Sequence, residues 1–151
     1  MKTWIVVASK DHLDSAVAGG FIQAGHGKLA PMKRLAEGDM VIGYSSKVIF
    51  GEASVCQQFT ALGTVVDSEI FQVEQAPGFS PYRRRVDYQV VQQVDIRSLI
   101  DSLNFIKNKQ HWGYPFRTGL FSIPDSDAAL ITQQMRGSEQ DDAGKPDPAA
   151  S

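Results

Sequence analysis

The segment Gly19–Lys28, with the sequence GGFIQAGHGK, combines four glycines with an aromatic ring and three polar side chains that could contact a ligand. A nucleotide phosphate loop requires G-x-x-x-x-G-K-[ST] directly after a strand, so that backbone N–H groups and a hydroxyl hold the phosphates and Mg²⁺. Here Ile22 stands where the first glycine is needed, Leu29 replaces the hydroxyl residue, and a predicted helix precedes the segment. The segment has no G-x-G-x-x-G motif either, so neither an NTP loop nor a dinucleotide site is supported.

The residues that could bind a metal or act as nucleophiles form no recognisable site. His12, His26 and His111 are far apart, and none belongs to an H-x₃-H or H-E-x-x-H pattern. Cys56 has no second cysteine with which to pair, and as a nucleophile it needs a base that only the fold can bring near. No pair of carboxylates lies near an apolar segment that could form a pocket, so the sequence does not support glycosidase-like acid–base catalysis. The sequence therefore predicts no metal, no cofactor and no catalytic residue.

What remains is a set of aromatic residues with hydrogen-bond donors or basic residues beside them. They form four groups: Phe21 with Gln23, His26 and Lys28; Tyr44 with Ser45; Phe79 and Tyr82 with Arg83 and Arg84; and Trp112 with Arg117. An unpaired nucleobase stacks on an aromatic face while donors contact its edge and basic residues hold phosphate, so these residue types suit base recognition. Burial in the core is the alternative for each aromatic residue. Trp4 and Phe59, in the middle of predicted strands, are assigned to the core.

The elements that must position these groups are mostly strands. Apolar and alternating runs predict strands at residues 3–9, 40–45, 57–66, 68–73, 82–94 and 120–123. Short helices are predicted at 11–17, around 31–35, within 96–106 and after Pro124, the last with Ala128, Ile131 and Met135 on one face. Odd- and even-numbered residues should lie on opposite faces of the 57–66 strand, and the set Tyr82, Arg84, Val86, Tyr88 and Val90 should point inward apart from its end. The pattern predicts an α+β fold, a small mixed barrel flanked by helices.

Length and composition are those of one globular domain, because the chain has 151 residues of which 42% are apolar and 21% charged. No apolar run approaches the ~18 residues of a membrane helix, and the N-terminus lacks a signal-peptide pattern. With a single cysteine, these features predict a cytoplasmic protein without a membrane partner. Residues 1–136 contain fourteen Lys and Arg against thirteen Asp and Glu, whereas residues 137–151 carry a net charge of −3. We expect one domain over residues 1–136 and a disordered acidic tail over 137–151.

Seven blocks of the sequence, in order and spacing, resemble the EVE domain family in its small stand-alone bacterial form. They are WIVVAS, GGFIQAGHGK, GDMVIGYSS, QQFTALGTVV, GFSPYRRRVDY, LIDSLNFI and HWGYPFRTGLFSI, and the resemblance covers about residues 2–136. It implies a PUA-like mixed β pseudo-barrel with flanking short helices, similar to the YTH domains that read methylated adenine in RNA. It also implies a nucleic-acid-binding module and not an enzyme, one that flips a modified base into an aromatic pocket. A modified cytosine in DNA and an altered base in RNA are examples.

Carried onto this sequence, the resemblance implies a base pocket and a phosphate-binding surface. Ser9 matches the serine that ends the first strand in EVE and YTH domains, and Phe21 takes the place of the first cage aromatic. The pocket is expected to contain Ser9, Phe21, Gln23, His26, Tyr44, Ser45, Phe79, Tyr82 and Trp112. The phosphate contacts are expected from Lys28, Arg83, Arg84 and Arg117. Phe and Tyr stand where YTH domains have Trp, which suits a smaller or less electron-poor base.

Two other functions stay open at this point. Other PUA-like domains include small amidohydrolases that act on modified nucleosides, and His26 with Lys28 could serve such an enzyme as base or electrophile. In the other alternative, the aromatic residues belong to the core, the arginines lie on the surface, and the module binds a protein or a small anion. The sequence does not distinguish DNA from RNA as the partner, and a monomer is expected.

Overall fold

The protein folds around one mixed sheet of seven strands. The structure, a computed structural model, describes residues 1–144, with side chains as far as Gly137. The strands are β1 (Thr3–Val7), β2 (Phe21–Ile22), β3 (Met40–Lys47), β4 (Val55–Gln72), β5 (Tyr82–Tyr88), β6 (Val94–Asp95) and β7 (Leu120–Ile123). Their order is β2-β5-β4-β3-β1-β7, with β6 paired to β4. β1 runs parallel to β3, and the other pairs are antiparallel.

Helices and short 3₁₀ segments connect the strands. The α-helices of the described residues are α1 (Lys10–Gly19), α2 (Leu29–Arg34) and α3 (Asp125–Gly144), and 3₁₀ turns lie at Gly25–Gly27, Ile96–Ser98, Ile100–Ser102 and Tyr114–Arg117. α1 ends as predicted, because Gly20 is left-handed with φ 70° and its N–H returns to the carbonyls of the last turn. The predicted α+β class is confirmed. In the described part of the chain the sheet stays open between its edge strands β2 and β7.

Each face of the sheet has its own apolar core, and one of the two cores includes no residue of β2 or β5. In β1, Ile5 belongs to one core while Trp4 and Val6 belong to the other, as strand alternation requires. The Ile5 core packs against α3, whose predicted apolar face is confirmed by the burial of Ala128, Ile131 and Met135. The Trp4 core packs against α1 and α2 and takes the inward residues of β5. Trp4 and Phe59 are buried, as the sequence predicted.

The prediction of two strands between residues 57 and 73 was wrong, because β4 is a single strand of 18 residues. Its pairing with β5 shifts register where the sequence suggested a break. Val65 faces Val86 and Ile70 faces Arg84, so five residues of β4 advance against two of β5. The polar residues near Asp67 therefore form an irregular bulge within one strand instead of ending it.

A second bulge corrects the predicted faces of β4. Gly43 pairs with Ala61 and Tyr44 with Phe59, so Thr60 is an extra residue against β3. An extra residue reverses the alternation of side chains beyond it. As a result Phe59 and Leu62 share the Ile5 core, whereas the sequence pattern had placed them on opposite faces.

The end of the chain is described only in part. The backbone of α3 continues to Gly144, with a non-helical conformation at Gly137. Residues 145–151 lie outside the described residues, so the disordered tail and the domain boundary at residue 136 stay predictions. No helix in the described chain is both long and apolar enough to cross a membrane.

Candidate functional site

Phe21 is the first residue of the edge strand β2 and follows directly after the end of α1. Pairing with β5 places Phe21 opposite Arg85 and Ile22 opposite Arg84, so Ile22 enters the Trp4 core and Phe21 faces outward. The Tyr88 hydroxyl donates to the Phe21 carbonyl at 2.7 Å. The ring rests against Gly19, because a Cβ there would lie only 2.6 Å from a ring carbon. Glycine at position 19 therefore creates the space that the ring occupies.

Arg83 lies over the Phe21 ring, with its guanidinium carbon 3.7 Å from the ring centroid. Its Nε donates to Oε1 of Gln23 at 2.8 Å, and an Nη donates to Oε1 of Gln75 at 3.1 Å. The Gln23 amide also donates to Gln75 at 3.2 Å. Burial lowers the pKa of Arg83 from its ordinary value. We call Phe21, Gln23, Gln75 and Arg83 the Phe21 site.

The loop at residues 79–81 lies beside the Phe21 site. Gly27 has φ 79°, and a Cβ there would lie 2.6 Å from Pro81 and 3.2 Å from the ring of Phe79. The turn at Gly25–Gly27 and the loop at residues 79–81 are therefore in close contact, which requires glycine at position 27. Phe79 is half-buried, while His26, with φ 61°, and Lys28 are exposed.

Tyr82 and Arg84 take inward positions at this edge. Tyr82 is half-buried against the Trp4 core. Arg84 is 2% exposed, and its guanidinium donates to the carbonyls of Met32 at 2.9 Å, of Asp67 at 2.6 Å and of Leu35. These groups include the carbonyls that end α2, where a cation is favourable. The predicted phosphate contact of Arg84 is therefore corrected to a structural role, because its N–H groups face the interior.

Tyr44 and Ser45 are not brought to Phe21. The sheet order separates β3 from β2 by three strand spacings, roughly 14 Å along the sheet. Tyr44 is 1% exposed in the Ile5 core, where burial raises the pKa of its hydroxyl above the ordinary value. Ser45 is fully buried and hydrogen-bonds the Thr60 hydroxyl at 3.0 Å.

Trp112 joins Tyr44 in an aromatic cluster that the sequence did not reveal. The ring of Phe116 stacks on Tyr44 at 4.1 Å and meets Trp112 at 6.4 Å. Phe59, Phe105 and Phe121 complete the cluster around Phe116. The only sequence signal for it was the density of aromatic residues between 105 and 121. Nearby, Arg117 lies over the exposed Tyr114 ring, 5.5 Å from its centroid.

Ser9 lies at the opposite end of α1 from Phe21. It precedes the first residue of α1, a helix of ten residues and so about 15 Å long. Its hydroxyl donates to Oδ1 of Asp11 at 2.5 Å. The structure thus unites Phe21, Gln23 and Arg83, places Phe79, Tyr82, His26 and Lys28 on the neighbouring segments, and leaves Ser9, Tyr44, Ser45, Trp112 and Arg117 elsewhere.

Other chemistries have little support in the described chain. Burial raises the pKa of the Cys56 thiol, which disfavours the thiolate that a nucleophile needs. Residues 1–137 contain no cluster of three or more metal-ligating side chains. An open cleft of about 560 Å³ lies between the C-terminal half of α1 and the segment 86–91, and it meets the Phe21 site through Gly19 and Gly20.

The sequence matches known proteins along nearly its whole length. A model of the EVE domain matches residues 2–134. The UPF0310 protein of Mycobacterium avium (strain 104) is 43% identical over 138 residues, which are 91% of this chain and 100% of that protein. A UPF0310 protein of Bacillus licheniformis is 44% identical over 127 residues, which are 84% of this chain and 86% of that protein.

Solved structures share the fold at low sequence identity. The YTH domain of the Zygosaccharomyces rouxii MRB1 protein, solved in complex with N6-methyladenosine RNA, superposes with a TM-score of 0.61 at 16% identity, covering 89% of this chain and 86% of that chain. The NMR structure of Rpa0253 from Rhodopseudomonas palustris gives 0.57 at 14% identity, with coverage of 91% and 94%. These likenesses establish a YTH-like fold.

Proposed function

Since the chain belongs to the EVE domain family, we propose that it is a nucleic-acid-binding module that holds a flipped modified base on the ring of Phe21. The observation that carries this proposal is the Arg83 guanidinium 3.7 Å above that ring, on the outer face of the sheet. Among the side chains that the structure describes, Arg83 has no carboxylate within salt-bridge distance. A positive charge that lacks an acidic partner beside an aromatic ring suits a nucleotide, which offers both a base and a phosphate.

In the proposed complex the base takes the ring face that the Arg83 guanidinium covers in the free protein. Stacking on an aromatic side chain is worth about 1–3 kcal/mol per base, which offsets much of the few kcal/mol that flipping costs. Arg83, released from the ring, then pairs with the adjacent phosphate, and the amides of Gln23 and Gln75 contact the base edge. His26 and Lys28 lie on the neighbouring turn and provide further polar contacts. The YTH-domain neighbour supports this proposal, because it was solved with a modified RNA.

The modification is recognised mainly by apolar contact. A methyl group buried between Phe21 and the 79–81 loop adds about 0.8 kcal/mol, a preference of about fourfold over the unmodified base. A cytosine modified at its ring carbon is the ligand class that we favour, because Phe21 and Phe79 offer a smaller stacking surface than two tryptophans. The reader function and its base specificity are therefore testable with one oligonucleotide series.

The experiment measures the dissociation constants of single-stranded DNA and RNA that carry cytosine, 5-methylcytosine or 5-hydroxymethylcytosine at one position, each at the same series of salt concentrations. We expect one modified base to bind about fourfold more tightly and Phe21→Ala to abolish that preference. Arg83→Met should weaken all strands alike and reduce the salt slope by about one. Tyr114→Ala, which removes another exposed ring beside an arginine, is the matched control and should keep the preference.

Two outcomes would contradict the proposal. Equal, salt-sensitive binding to every strand, unchanged in Phe21→Ala, would leave only non-specific attraction to phosphate. Turnover of modified nucleosides, detected by mass spectrometry and abolished by His26→Ala, would show an enzyme instead of a reader.

A further inference from the structure

A second aromatic surface lies at the other end of α1, on the hairpin that joins β3 to β4. Four large apolar residues of this hairpin are exposed, namely Val48, Ile49, Phe50 and Val55, with 60% exposure for Phe50 and 70% for Val55. The Phe50 ring stacks on His12 of α1 with centroids 4.9 Å apart and planes 21° apart. Concentrated exposure of this kind on one hairpin indicates a contact surface.

The hairpin is fixed to the start of α1 by Asp11. The Asp11 N–H donates to the Val48 carbonyl at 2.9 Å, and its Oδ1 accepts from the Phe50 N–H at 3.3 Å. Ser54 closes the hairpin by accepting from the Ile49 N–H at 3.1 Å. The hydrogen bond from Ser9, followed by those from His12 and Phe50, lowers the pKa of Asp11 against the effect of desolvation. Phe50 is thus held in place before any partner binds, which reduces the entropy cost of binding.

The Phe50 ring and the Phe21 ring lie along the same face of α1. Phe50 rests on His12 and Phe21 rests against Gly19, and residues seven apart in a helix differ by only about 20° in direction. The two helix residues that they contact, His12 and Gly19, are about 10 Å apart along the axis. Ser15, three residues after His12 and exposed, lies on the face between them. Two aromatic rings therefore contact the same side of α1, about two turns apart.

We infer that Phe50, supported by His12, stacks on an unpaired base that flanks the modified base bound at Phe21. This inference rests on the proposed function. A stacked strand rises about 3.4 Å per nucleotide, so a span of about 10 Å corresponds to three steps and a single strand reaches both rings. A stacked ring accepts any base, because every base has a π-face. Phe50 thus adds affinity for single-stranded flanks without changing which modified base is preferred.

The test uses nine-nucleotide strands with the preferred modified base at the centre, and the same strands with abasic sites at the flanking positions. Wild-type protein should bind the intact strand about tenfold more tightly than the abasic-flank strand. Phe50→Ala and Phe50→Leu should both abolish that difference and keep the preference for the modified base at the centre. Val66→Ser, which changes an exposed apolar residue of β4 outside the hairpin, is the control and should keep both effects.

The two proposals fail in different ways. If the flank difference persists in Phe50→Ala, or is absent from the wild type while the modified base is still preferred, the inference about Phe50 is overturned and the reader function stands. If no modified base is preferred, the proposed function fails, whatever the flanks contribute. Circular dichroism of the Phe50 variants checks that the fold is retained.

Discussion

At the scale of single residues, three consecutive arginines have three different environments because a strand alternates its faces. Arg83 points outward over Phe21, Arg84 points inward to backbone carbonyls, and Arg85 points outward to Glu69 at 2.6 Å. A basic cluster in the sequence suggests one phosphate-binding surface, yet the middle residue of three on a strand points to the opposite face from its two neighbours. Of these three, Arg83 is the one that combines an outward position with a lack of described acidic partners.

Arg84 should contribute to stability far more than its neighbour. Arg84→Met is expected to lower the free energy of unfolding by about 3 kcal/mol or more, because up to three carbonyls lose their donor at about 1–3 kcal/mol each. Arg85→Met removes a surface ion pair and should cost less than about 1 kcal/mol. Urea unfolding of both variants measures the difference. Equal losses would contradict the interior role of Arg84.

At the scale of elements, the sequence predicted what local periodicity determines. The helix ended by Gly20, the inward residues of β5 and the buried face of α3 all follow from spacing within one segment. The bulge at Thr60 depends on how β3 pairs with β4. The pattern of one strand cannot predict an extra residue that is defined only relative to its partner strand. For this reason the sequence pattern placed Phe59 and Leu62 on opposite faces of β4, whereas both belong to the Ile5 core.

For the candidate site, the sequence predicted the binding residues but not the contacts between them. Phe21, Gln23 and Arg83 were all assigned to binding from their chemistry, but their mutual contact depends on β2 pairing with β5 some sixty residues later in the sequence. Tyr44 has the same residue chemistry as Phe21 and yet packs under Phe116, an aromatic residue from the 3₁₀ turn before β7. Residue type indicates what a side chain can bind, and only tertiary contacts decide whether it is free to do so.

The contact between the Gly25–Gly27 turn and the 79–81 loop should fix the position of that loop beside the Phe21 site. Gly27→Ala places a methyl group 2.6 Å from Pro81 and imposes a side chain at φ 79°, so the loop must move away. We expect weaker binding of the modified base, by about tenfold, with a loss of stability of about 1 kcal/mol from the strained residue. Gly78→Ala, also at positive φ but with no atom within 4 Å of the added Cβ, controls for backbone strain alone. If both variants bind alike, loop position does not shape the site.

At the scale of the whole molecule, Asp39 joins the N-terminal strand to the turn between α2 and β3. It is 4% exposed, and its carboxylate accepts from the backbone N–H groups of Lys2 and Ala36 and from Nε1 of Trp4, each at 2.9 Å. Desolvation raises the pKa of Asp39, but these hydrogen bonds favour the charged form more strongly and lower it below the ordinary value of 3.8. Folding therefore stabilises the ionised carboxylate.

A lowered pKa makes the stability of the fold sensitive to acid. The contribution of Asp39 is fully present above its unfolded-state pKa and is lost as the pH falls through its lower folded-state value. Asp39→Asn should cost about 1.5–3 kcal/mol at pH 7, because an amide presents only one oxygen acceptor to three donors. The difference between wild type and Asp39→Asn should shrink at acidic pH, since the wild-type carboxylate is then protonated as well. Urea unfolding followed by tryptophan fluorescence at pH 7, 5, 3 and 2 measures it, and Glu37→Gln, on the same turn and exposed, should match the wild type throughout. A difference between wild type and Asp39→Asn that stays constant down to pH 2 would show that shape and packing at this position, and not its charge, hold β1 against the turn.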